Sequence, residues 1–175
     1  FPNYIVRQNY DKPLFVEFNN KTVWKPLVEN NGGRDLMPYH YEQSPFSHSF
    51  YQSSRPVYQW VKTSPLINDD ITELSKACIK QSHLGQNKNT DMLQLTFYAG
   101  SFMRENPEQY ASELEDIYLR LDQNIADLLS AVDAQVGLSN TIIYLTGTGA
   151  TDDNSADIPG TVSGEFNGAR CCALL

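Results

Sequence analysis

Two six-residue apolar runs flank one long amphipathic pattern, and this strand–helix–strand unit constrains the fold more than any other feature. Leu93-Gln94-Leu95-Thr96-Phe97-Tyr98 and Thr141-Ile142-Ile143-Tyr144-Leu145-Thr146 read as strands. Between them Leu114, Ile117, Tyr118, Leu121, Ile125, Leu128, Leu129, Val132 and Val136 recur at helical spacing, which predicts a helix over 106–136. Asn106-Pro107-Glu108-Gln109 supplies an N-cap, a proline at the first helical position and a reach-back glutamine. Gly137 followed by Leu138 fits a Schellman-type ending. Such a helix would run about 45 Å at 1.5 Å per residue, and a parallel connection of this kind is right-handed. In open α/β sheets the chemistry sits just past the carboxyl ends of the strands. Here those ends read Ala99-Gly100-Ser101-Phe102 and Gly147-Thr148-Gly149-Ala150, with no carboxylate, histidine or cysteine.

The rest of the chain divides at about residue 65. In 1–33 the signal is β: 14–18 and 22–27 flank Asn19-Asn20-Lys21, a hairpin connection. Residues 32–65 form a loop punctuated by Gly32-Gly33, Pro38, Pro45, Pro56 and Pro65, with aromatics between. That is long for bare loop in a compact domain, so part of it should be packed or functional. From residue 66 the chain is α/β. Asp70-Ile71-Thr72-Glu73 has capping-box spacing. Ile71, Leu74, Cys78 and Ile79 form an apolar stripe and Gly85 a stop. The expected class is α/β, with a β-hairpin and aromatic loop region (1–65) preceding an α/β portion (66–175).

A length of 175 residues bounds this to one domain with a sizeable core. The net charge of −8 argues against a nucleic-acid footprint, which needs a basic stripe. No apolar run approaches the roughly 20 residues of a membrane span. Cys78, Cys171 and Cys172 make no disulfide framework, and packing is expected for Cys78. The start at Phe1 and the closing apolar run Cys171-Cys172-Ala173-Leu174-Leu175 lead us to expect a piece of a longer protein.

Candidate chemistry is sparse. Glu113, Glu115, Asp116, Asp122, Asp127 and Asp133 crowd the long helix, and a solvated face is expected for them rather than acid–base work. Asp152, Asp153 and Asp157 offer hard oxygen donors to a divalent cation, but without EF-hand spacing a polar surface loop is favoured. His40 and His48 lie in the aromatic loop, a weak metal signal, and His83 ends a helix. No Gly-x-Ser-x-Gly elbow and no phosphate-binding P-loop is present. Gly147, Thr148 and Gly149 form a possible anion loop of amides and a hydroxyl. Tyr39, Tyr41, Phe46, Phe50 and Tyr51 are expected to pack a loop onto the domain, with an interaction surface as the alternative.

The block Ser112-Glu113-Leu114-Glu115-Asp116-Ile117-Tyr118-Leu119-Arg120-Leu121-Asp122 resembles the long helix of the alkaline phosphatase superfamily. The likeness is greatest to the bacterial envelope branch that includes phosphodiesterases. It covers roughly residues 24–153, with Trp24-Lys25-Pro26 and Thr63-Ser64-Pro65-Leu66-Ile67-Asn68 similar to weaker landmarks. The resemblance implies an alkaline-phosphatase-like sheet and an exported, periplasmic or envelope location. In the superfamily an Asp and a nearby His follow the first strand, and Thr-Ala-Asp-His-Gly ends the next. Those groups hold two metal ions, usually zinc, beside a Thr or Ser nucleophile. Aligned without gaps, Ser101 stands at that Asp, Glu105 at that His, and Thr148 and Gly149 at the second pair. The nucleophile strand lies further upstream in the superfamily, and nothing here supplies it. The resemblance thus implies a degenerate domain, a pseudoenzyme binding a small anion or a protein partner, with no catalytic residue, metal or cofactor of its own. The alternative is a fragment of a metal-dependent phosphoric or sulfuric ester hydrolase whose nucleophile and metals lie elsewhere. A structural domain without ligand is the third reading.

Overall fold

In a computed structural model of the chain, residues 2–11, 22–28, 46–50, 57–102 and 110–147 are described. They form α1 (Asn3–Asp11), β1 (Val23–Trp24), β2 (His48–Ser49), α2 (Val57–Lys62), α3 (Leu66–Gln81) and α4 (Ala111–Gln135), with a 3-10 turn at Leu138–Asn140. Helices and a small sheet together make an α/β content.

The long helix forms where its apolar period predicts it, as 25 residues in α4. Its expected capping residues, Asn106 to Gln109, lie outside the described residues. At its far end Gly137 adopts φ +86 and donates to the carbonyls of Val132 and Asp133. The next amide, Leu138 N–H, bonds the Asp133 side chain at 2.9 Å instead of a main-chain carbonyl. The ending is therefore a glycine stop completed by a carboxylate, a variant of the expected motif.

α3 packs along α4, and its register differs from expectation. It begins at Leu66 behind Pro65, whose ring fixes φ at −65, so the Asp70–Glu73 capping box falls inside the helix. Glu73 pairs with Lys76 at 2.6 Å. The buried stripe is Asn68, Thr72, Ser75 and Ile79, not the apolar set, of which Ile71, Leu74 and Cys78 are half-buried. The hydroxyls of Thr72 and Ser75 donate to the carbonyls of Asn68 and Ile71, at 2.8 and 2.6 Å, so they are satisfied within their own helix. The helix stops at Gln81, ahead of Gly85. His83 at φ 52 and Gly85 at φ 73 then turn the chain, and a Cβ on Gly85 would meet the Val136 methyls at 2.7 and 2.8 Å.

Residues 3–11 are helical rather than β. Tyr4 and Gln8, one turn apart on α1, both reach α3: the tyrosine hydroxyl donates to Cys78 Sγ at 3.3 Å and Gln8 Nε2 to Asp70 Oδ1 at 3.4 Å. Residues 14–18 of the expected hairpin lie outside the described residues. β1 pairs with β2 in antiparallel register, Val23 opposite Ser49 and Trp24 opposite His48. This ladder seats the core of Trp24, Phe50, Val61, Phe102 and Ile117, flanked by Phe46, Trp60 and Tyr110. The rings meet edge to face, Trp24 on Phe46 at 5.0 Å and on Phe102 at 5.1 Å. Phe46 and Phe50 thus pack inward, while Tyr39, Tyr41 and Tyr51 lie outside the described residues.

Residues 93–98 and 141–146, expected as the parallel pair around α4, make no ladder among the described residues. Thr141 has extended geometry, and Ile142, Tyr144 and Leu145 are 82%, 87% and 81% exposed. A strand needs a neighbouring edge for its amides, and none of the described segments offers one here.

Candidate functional site

The end of the 93–98 segment is held by one side chain. Asn68, fully buried, donates from Nδ2 to the Tyr98 carbonyl at 2.8 Å and accepts the Tyr98 amide on Oδ1 at 2.8 Å. A side-chain amide here occupies the edge that a neighbouring strand would occupy. The Tyr98 hydroxyl then folds over Gly100 and donates to the Ser101 carbonyl. A Cβ on Gly100 would lie 2.8 Å from that hydroxyl, so a larger residue there would push the tyrosine ring aside. Phe102 anchors the far side in the aromatic core. The Ser101 hydroxyl is left buried with no hydrogen-bond partner.

Three carboxylates in the first turns of α4 are buried where a solvated face was expected. Asp116, 2% exposed, accepts Trp24 Nε1 at 2.5 Å, the Leu27 amide at 2.6 Å and Arg120 Nε at 2.7 Å. Arg120 also donates to the Lys25 carbonyl at 2.9 Å. Glu113 is buried against His48 Nε2 at 2.7 Å. That imidazole lies among Trp24, Phe46, Trp60 and Phe102, with ring centroids 4.6 to 6.1 Å away. Glu115 is buried too. The ladder and its aromatics cover the first turns of α4 on the polar side as well, so these carboxylates are desolvated and bonded. Asp122, Asp127 and Asp133 remain exposed. Further along, Asn124 Nδ2 donates to Asp69 Oδ1 on α3 at 2.9 Å. Burial pushes the Asp69 carboxyl above its ordinary value of 3.8, against the opposing pull of Asn124 and Arg120.

Of the positions singled out in the sequence, Ser101 follows the 93–98 segment, which pairs in no ladder among the described residues. Gly147 is exposed with open space around it. Glu105, Thr148, Gly149, Asp152, Asp153, Asp157, His40, Cys171 and Cys172 lie outside the described residues. His48 belongs to the core, and His83 is an exposed turn residue. Asp69 and Asn124 were not singled out, Asn68 was named only within a landmark, and Asp116 only within an expected solvated face. The Asp116–Arg120 spacing of four was a readable helix pair, whereas their long-range partners had no local signature.

Among curated proteins the chain is 31% identical over 127 residues to alkaline phosphatase PhoV of Synechococcus elongatus, covering 73% of this chain and 22% of that protein. It is 26% identical over 149 residues to alkaline phosphatase PafA of Elizabethkingia meningoseptica, covering 74% of this chain and 27% of that protein. This chain is a relative of the alkaline phosphatases. It is also 31% identical over 91 residues to a protein of Myroides odoratus named calcium-transporting ATPase, covering 51% of this chain and 17% of that protein. The chain spans about a quarter of the length of the curated alkaline phosphatases it matches. No family profile matches it, and no solved structure does.

Superfamily membership raises the question of zinc, which takes imidazole, thiolate and carboxylate donors. Of the four positions that the resemblance sets against superfamily metal ligands, only Ser101 is among the described residues, and it offers a neutral hydroxyl. Among the described residues no three His, Cys, Asp or Glu side chains converge as a metal site. Glu113 and Asp116 are committed to His48, Trp24, Leu27 and Arg120. This donor set does not fit a zinc pair, and no catalytic step through zinc follows from it.

Proposed function

We propose that the chain is part of an alkaline-phosphatase-like domain whose metal-binding side chains are substituted, and which binds an anionic ligand or a protein partner without catalysis. The observation that carries this reading is Ser101. The resemblance aligns it with a metal-binding Asp of the superfamily, and its hydroxyl is buried without a partner, on a loop fixed by Asn68, Tyr98 and Phe102. A precisely held loop with a neutral group retains a scaffold and gives up the charge that would hold a cation. In the same reading Glu105, Thr148 and Gly149 replace the other ligands, and Gly147 to Gly149 present amides to an anion. Residues 93–98 and 141–146 are then strands of an alkaline-phosphatase-like sheet whose neighbours lie outside the described residues. The exposure of Ile142, Tyr144 and Leu145 supports this, because so open an apolar ribbon needs cover. An exported or envelope location accompanies the reading through the kinship alone.

The second reading is a fragment of a phosphoric or sulfuric ester hydrolase, favoured by the names of the relatives and by the quarter of their length that the chain spans. Assay of the intact purified protein with p-nitrophenyl phosphate, its bis ester and its sulfate, with and without added zinc, separates the two. Hydrolysis at the level of the uncatalysed background is expected. Zinc-dependent turnover that survives purification to homogeneity would replace the first reading with the second.

A further inference from the structure

The contact between α3 and α4 carries a feature independent of the strand-end site. Asn124 is buried on α4; its Nδ2 donates to Asp69 Oδ1 at 2.9 Å, while its own Oδ1 is buried with no partner. An ionised carboxylate only accepts, so it cannot satisfy that oxygen. A protonated carboxyl carries one donor and one acceptor, the complement of a primary amide.

We propose that Asp69 and Asn124 form a proton-operated latch between α3 and α4. With a proton taken from solvent, the Asp69 O–H donates to Asn124 Oδ1 while Asn124 Nδ2 donates to Asp69, and a paired acid–amide ring closes. Release of the proton to solvent leaves one hydrogen bond and a bare buried oxygen. The surroundings favour closure. Burial disfavours the ionised form, and Glu73 on α3 and Asp116 on α4 push the same way, while Arg120 on α4 opposes them. From α1, uncharged Gln8 donates to the adjacent Asp70 at 3.4 Å. Asn68, the residue before the latch, grips the Tyr98 main chain, so closing the latch steadies the loop that carries Ser101.

The test is urea unfolding of the intact protein near pH 7 and near pH 4, for the wild type and Asp69→Asn. An asparagine at 69 donates at every pH. The ratio of wild-type to variant unfolding midpoint stability, as an equilibrium constant, is expected to rise about three- to tenfold on acidification, the worth of one hydrogen bond. A ratio that is constant or falls overturns the latch. Hydrogen exchange of the wild type gives a readout that needs no variant. Protection of the Tyr98 amide is expected to rise with acid by about the same factor relative to that of Val136, which caps the C-terminal end of α4 and bonds the Val132 carbonyl. Equal protection at both pH values overturns the proposal.

Discussion

Asp116 shows at the scale of one residue how this chain uses charge. A buried carboxylate is costly unless its lone pairs are filled, and here an indole, a main-chain amide and a guanidinium fill them. Asp116→Ala leaves those three donors facing a cavity. The expected loss is about 3–5 kcal/mol of unfolding free energy, as for breaking a buried pair, and a urea titration showing less than about 1 kcal/mol would contradict it. Asp69 makes the opposite case, a carboxyl whose folded-state pKa is raised, first by burial. Its contribution to stability is full below its ordinary value of 3.8 and is lost as pH rises through the raised folded value. Subtracting the stability–pH curve of Asp69→Asn from that of the wild type should give a difference that falls with rising pH; a difference that climbs would contradict the assignment. Little of this was legible in the sequence. The i,i+4 spacing of Asp116 and Arg120 was visible, but Trp24 is 92 positions away, and only the fold brings it there.

Among elements, what the sequence revealed was what local periodicity controls. The apolar spacing over 114–136 sufficed for α4, because a long amphipathic stripe specifies a helix whatever covers it. It did not show that the ladder would bury the polar side of the first turns, since burial depends on what arrives from elsewhere in the chain. The start of α3 was misread for a similar reason: Asp70 and Glu73 have capping spacing, yet Pro65 already supplies a helical φ five residues earlier. The short helix α1 carries no apolar stripe strong enough to declare itself, and its two contacts on α3 settle its face only in the fold. At the junction of helix ends, Gly85 combines φ 73 with a Cβ position 2.7 Å from Val136. Gly85→Ala should therefore cost about 1–3 kcal/mol, from left-handed strain together with the clash. A melting temperature equal to wild type would show that the two ends separate easily.

For the whole molecule, the uncovered ribbon and the proposed loss of ligand side chains belong to one account. If residues 141–146 are a sheet strand in the intact protein, Ile142→Asp places a charge inside a packed layer and should cost more than about 3 kcal/mol. An exposed ribbon would tolerate the change within about 0.5 kcal/mol, and chemical unfolding of the intact protein distinguishes the two. The candidate site was legible only through kinship: Ser101 is an ordinary serine until the likeness of the neighbouring helix aligns it, in the proposed reading, with a superfamily ligand. That substitution leads to the central claim, that a phosphatase scaffold here lacks the donors for its metals. Elemental analysis of the intact protein after zinc loading and desalting tests it most directly. Zinc well below one ion per chain is the predicted result, and near-stoichiometric retained zinc would contradict the account.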